Sequence, residues 1–137
     1  MSALSIRMVV ISIDALRGRM GDTIANCFTP AELDYASGFR SPLHPLAARF
    51  CAKRAFQLWS SAEEGPLPAL AEVEVVGTPF GPPQLCLRGD ARRWAAARGV
   101  TTLHLSLSHC QRYAGALLAV TTDQEGEVRC GGWLSQA

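Results

Sequence analysis

Residues 104–109 read His104-Leu105-Ser106-Leu107-Ser108-His109. Strict alternation is the period of a β-strand, so the leucines share one face and His104, Ser106 and Ser108 the other, with His109 at the strand's end. Hydroxyls and imidazoles bind phosphate oxygens without a large net charge. Such a face suits an anion such as a nucleotide phosphate, and it equally suits the solvent side of a half-exposed strand. A second group is Arg49, Lys53 and Arg54. Like charges four apart, as at Arg49 and Lys53, disfavour an isolated helix by about 0.2–0.5 kcal/mol, which either an anionic ligand or full solvation relieves. Asp14 is the third feature, a carboxylate at the exit of the apolar run Met8-Val9-Val10-Ile11-Ser12-Ile13, and strand ends often carry function. No Ser/His/Asp series, Walker loop or GxGxxG fingerprint is present.

The elements that must position these groups follow from pattern. Met8–Ile13 is β-branched and near-continuously apolar, which predicts a strand buried on both faces. Thr29-Pro30-Ala31-Glu32 is a capping box with proline at the first helical position, opening a short helix near 30–37. After Pro42, His44 and Pro45, residues 46–59 form the strongest helical segment, with Leu43, Leu46, Ala47, Phe50, Cys51, Ala55 and Leu58 as its core stripe. Glu72–Val76 and Gln84–Arg88 alternate with period two and predict a hairpin across Gly77–Pro83. Asp90 is placed to cap a helix that runs to about Arg98 and ends at Gly99. Ala114–Val120 is the expected antiparallel partner of the His/Ser strand, and the tail 121–137 adds an edge strand or frays. The order strand, helices, two strands, helix, two strands predicts an α+β fold: one small domain over 1–137, with a largely antiparallel sheet packed on a long central helix.

Composition narrows the function. The 137 residues are 48% apolar and 18% charged, enough for one folded core. Thirteen basic and twelve acidic side chains leave a formal charge of +1, which gives no electrostatic case for nucleic acid as a partner. The five cysteines, with no CxxC pair, indicate neither a disulfide framework nor a zinc site. With no apolar leader ending in a cleavage site, they predict a protein of the reducing cytoplasm. No apolar run approaches the roughly 20 residues that cross a bilayer, so no membrane association is expected.

Taken in series, these stretches resemble the small holo-acyl-carrier-protein synthase family of 4′-phosphopantetheinyl transferases, over about Val9–Val120. Ile11-Ser12-Ile13-Asp14 is similar to the family's opening strand with its metal-binding aspartate. Phe28-Thr29-Pro30-Ala31-Glu32-Leu33 is similar to its FTxxE segment, and Ala48-Arg49-Phe50-Cys51-Ala52-Lys53 to its RFAAKE helix. Gly81-Pro82-Pro83 matches the G-x-P turn, and His104–His109 the H-x-SLSH strand, the most specific piece.

The resemblance implies a phosphopantetheinyl-transferase-like fold. It also implies transfer of 4′-phosphopantetheine from coenzyme A to a serine of an acyl or peptidyl carrier protein, with Mg²⁺ between the diphosphate and two carboxylates, and a homotrimer with sites between subunits. By position, Asp14 becomes the metal ligand. Arg49, Lys53, Gly81, Pro83, Ser106, Ser108 and His109 line the coenzyme site, and Asp14, His109, Lys53 and Arg54 form the catalytic set. The chain departs from the pattern where Ser12 replaces a glycine, Met20 an arginine, Arg54 the second metal carboxylate and Leu58 the second lysine. A guanidinium at a ligand position repels a divalent cation, so the expectation here is an Arg54–Asp14 pair in the metal's place. Two other readings keep the fold. One is acid/base chemistry on a pantetheine-tethered acyl chain through Asp14 and His109, and the other is a catalytically silent carrier-binding subunit.

Overall fold

The computed structural model describes residues 2–21, 26–60, 67–78 and 81–123. Strand β1 (Ser2–Ser12) runs into a one-and-a-half-turn helix α1 (Ile13–Gly18), capped by the Ser12 hydroxyl on the Ala15 amide. Helix α2 (Pro30–Ser37) opens with the expected box: the Thr29 hydroxyl accepts from the Glu32 amide, and the Glu32 carboxylate from the Thr29 amide. The long helix α3 (Leu43–Ser60) starts earlier than the proline pattern suggests. Pro45 sits in its first turn, where a missing N–H costs no hydrogen bond. A 3-10 turn at Leu70–Glu72 leads to the hairpin β2 (Val73–Thr78) and β3 (Gly81–Leu87), then α4 (Gly89–Ala97), β4 (Val100–His109) and β5 (Tyr113–Asp123).

Every pairing is antiparallel. Strands β1, β5 and β4 make a three-stranded sheet in that order, and β2–β3 a separate two-stranded one. Helix α3 packs on one face of the larger sheet and also touches β2. Its Cys51, Ala52, Ala55 and Phe56, all fully buried, meet Leu105, Leu118 and Val120 of the sheet and Val73, Leu85 and Leu87 of the hairpin. At the N-terminal half of α3, Leu46, Ala47 and Ala48 pack with Ile13, Leu16, Phe28 and Ala36.

Several expectations are corrected. β1 is not buried on both faces: α3 covers one side only, and Leu4, Ile6, Met8 and Val10 point outward, 52–69% exposed. Leu58 is 40% exposed and leaves the core stripe, whereas Arg49 and Lys53 are buried. Asp90 does not cap α4. The helix starts at Gly89, two residues earlier than a cap at Asp90 implies, and the Glu72 carboxylate accepts from the Asp90 amide instead. β5 extends through Asp123, and the rest of the tail, 124–137, lies outside the described residues.

Candidate active site

A cleft of about 260 Å³ opens between α2, the first turns of α3, the β2–β3 hairpin and the end of β4. Tyr35 and Phe39 line it from the α2 side, Gly77, Gly81 and Pro83 from the hairpin, Arg49 from α3, and Leu107 and His109 from β4. Arg49 is 4% exposed. Its guanidinium carbon lies 4.2 Å from the centre of the Tyr35 ring, Nη1 donates a long 3.4 Å bond to the Pro45 carbonyl, and Nε has no hydrogen-bond partner among the described residues. A buried guanidinium with an idle donor beside a cleft is a site for an anion, because the cost of desolvating it is offset only by charge-assisted bonds.

At the cleft's edge the His109 ring stands 5.8 Å from that of His44. His44 Nε2 lies 3.0 Å from the Gln111 carbonyl and Nδ1 2.7 Å from the Ser41 hydroxyl. A carbonyl only accepts, so Nε2 carries the proton and Nδ1 accepts from Ser41. His44 thereby ties the start of α3 to the β4–β5 turn that follows His109. Asp14 is at the same end of the sheet, since the Ile13 amide donates to the Arg112 carbonyl of that turn.

The sheet register divides the serine-histidine motif. Across the three strands the rows Met8–Leu117–Ser106 and Val10–Gly115–Ser108 face outward, whereas Ile11–Ala114–His109 faces α3. Ser106 and Ser108 therefore line a second, shallower depression of about 220 Å³ on the outer face, with Met8, Val10 and Leu117. Arg49, Gly81, Pro83 and His109 share the cleft; the two serines are not part of its lining.

Lys53 is not in the cleft. It is fully buried, and its ammonium spends three donors inside the protein: on Glu32 Oε1 at 2.7 Å, the Val73 carbonyl at 2.7 Å and the Leu70 carbonyl at 3.0 Å. Burial pushes its pKa below the ordinary lysine value, opposed by the charge and hydrogen bond of Glu32 and, further off, by Glu74 and Cys27. Glu32 also accepts from the Thr29 and Val75 amides. Glu74, 4% exposed, accepts from the Thr29 hydroxyl and pairs with Arg88 at 2.7 Å.

The expected Arg54–Asp14 pair does not form. Arg54 donates to Gln57 Oε1 at 2.6 Å, and Gln57 in turn donates to the Pro68 carbonyl. Asp14, its side chain 89% exposed, pairs with Arg17 of its own helix at 2.8 Å. Five helical residues separate Arg54 from Arg49, about 7.5 Å along the axis and about 140° around it, so the two cations do not share a face. The residues that the motifs left unassigned are Tyr35, Phe39, Gly77 and His44. The visible trace was an aromatic pair four apart followed by histidine and glycine at the ends of neighbouring elements.

No protein-family model matches the chain. Among curated relatives, the holo-[acyl-carrier-protein] synthase of Syntrophus aciditrophicus is 40% identical over 91 residues, 66% of this chain and 71% of that protein. That of Dehalococcoides mccartyi strain CBDB1 is 39% identical over 107 residues, 77% of this chain and 86% of its own. The chain belongs to the holo-acyl-carrier-protein synthase family. The fold agrees: a Chronobacterium ammoniagenes ACPS–CoA complex superposes with a TM-score of 0.77 at 31% identity, covering 89% of this chain and 99% of that one. Against the Mg²⁺ that the resemblance implies, the donor set does not fit. One carboxylate is solvent-exposed and already paired with Arg17, the second ligand position is a guanidinium, and among the described residues no group of three or more His, Cys, Asp or Glu stands together.

Proposed function

We propose that the chain transfers 4′-phosphopantetheine from coenzyme A to a serine hydroxyl of an acyl or peptidyl carrier protein. The serine oxygen forms a bond to the phosphorus that carries pantetheine. The bond from that phosphorus to the bridging oxygen breaks, the serine proton passes to solvent, and 3′,5′-ADP leaves. The observation that carries this reading is Arg49, a desolvated guanidinium with an N–H unused among the described residues, lining a cleft of about 260 Å³. His109 supplies an imidazole to the same ligand, and Gly81 and Pro83 a close, featureless wall. Donors that the fold holds in place fix the phosphate end of the coenzyme and so position the molecule for transfer. No step is assigned to Mg²⁺ or Lys53. The acid/base alternative loses its acid, because Asp14 is exposed and paired with Arg17.

Ser106 and Ser108, on the outer sheet face, serve the ligand of a neighbouring copy in this reading, and the exposed apolar residues of β1 close the homotrimer that the family resemblance implies. The free thiols of Cys51, Cys86 and Cys110 support placement in the reducing cytoplasm. In the described residues no helix is long and apolar enough to cross a membrane. The test is to incubate the protein with coenzyme A and several apo carrier proteins and weigh the carriers by mass spectrometry. A gain of one phosphopantetheine is expected; no gain on any carrier overturns the proposal.

A further inference from the structure

Among the described residues Arg49 has no ion pair, and its contact with Pro45 is long. Acidic partners therefore do not set its orientation. Packing does. One face of the guanidinium lies on Tyr35 at 4.2 Å, and Tyr35 is itself backed by Phe39, ring centres 5.1 Å apart. Gly77 closes the slot: a Cβ there would stand 3.2 Å from Arg49 Nη2, crowding the guanidinium, and 3.4 Å from the Tyr35 ring, in contact with it. The chemical consequence differs from that of a salt bridge. A carboxylate would fix the guanidinium but neutralise it and occupy its donors, whereas an aromatic face holds the plane by attraction to the cation and leaves the N–H edge and the charge for a ligand.

We propose that Tyr35 and Gly77 are positioning residues that hold Arg49 in a slot and keep its donor edge and full charge available to a phosphate of coenzyme A. The inference rests on the transfer reading. Its test is coenzyme A titration by calorimetry, together with carrier-modification kinetics, on wild type, Tyr35→Leu, Tyr35→Phe and Gly77→Ala, each checked for folding by its thermal melt. Loss of the stack should raise Kd and KM for coenzyme A by about 2- to 30-fold in Tyr35→Leu, the span of a cation–π contact from exposed to desolvated. The kcat value should stay near wild type, and Tyr35→Phe, which keeps the ring, should recover the affinity. Gly77→Ala should weaken binding in the same sense without the ring being touched. Unchanged Kd in both Tyr35→Leu and Gly77→Ala, a fall in kcat alone, or Tyr35→Phe as weak as Tyr35→Leu would overturn the positioning role. Should Tyr35→Leu not fold, Gly77→Ala and Tyr35→Phe decide it. A wild type that binds coenzyme A but modifies no carrier sinks the transfer reading and leaves the stack judged on Kd. One that does not bind coenzyme A overturns both.

Discussion

At the residue scale, Lys53 and Arg49 stand one helical turn apart in one motif, yet the fold gives them opposite tasks. Lys53 has every ammonium hydrogen spent on Glu32 and two carbonyls; Arg49 has a donor to spare. Removing one partner of a buried pair strands the other charge in low dielectric, which costs about 3–5 kcal/mol. Lys53→Met is therefore expected to lower stability by that amount in urea unfolding, because Glu32 remains buried, while the folded fraction binds coenzyme A like wild type. Were Lys53 instead a coenzyme ligand, the same variant would weaken coenzyme A binding and barely move the urea midpoint.

At the scale of elements, the cleft depends on where α2 is anchored, since α2 carries Tyr35. Thr29 fastens it twice, by capping the helix at Glu32 and by donating to Glu74 of β2. Thr29→Ala loses the cap, worth about 0.5–2 kcal/mol, and leaves Glu74 one donor short while Arg88 still holds it. A drop in urea midpoint of that order is expected; no drop would mean that α2 is held by packing alone. The cap was legible in the sequence because it is local: Thr, Pro and Glu at fixed spacing encode it without reference to the rest of the chain. The alternation of 103–109 and the hairpin after Val76 were legible for the same reason. What pattern could not supply was burial of charge. Arg49 and Lys53 read as a basic face because the partners that desolvate them, Glu32, Val73 and Tyr35, lie 14 to 21 residues away in sequence and meet them only through tertiary packing. The one-sided exposure of β1 escaped likewise, since an apolar run looks the same whether its outer face meets a helix or a second chain.

On the scale of the whole molecule, that outer face poses a physical problem for a lone chain. Leu4, Ile6, Met8 and Val10, at 62, 52, 69 and 61% exposed, lie on one side of a single strand, with Leu117 beside Met8. Antiparallel sheets with one wet face normally place polar residues there, and a contiguous apolar patch of this kind marks an interaction surface. Ser106 and Ser108 sit in the same cross-strand rows as Met8 and Val10, so whatever covers the patch also approaches the serines, as a site shared between copies requires. Met8→Glu places a carboxylate at the centre of the patch. Within one chain the substitution is nearly neutral, because Met8 is exposed there; at a closed apolar interface it buries an unpaired charge, which costs several kcal/mol. By analytical ultracentrifugation the wild type should sediment as a trimer and Met8→Glu as a folded monomer, with carrier modification lost as the serines lose their neighbour. A variant that stays trimeric would move the contact elsewhere on the surface, and a wild type that is already monomeric yet active would require each cleft to work without the serines of a second copy.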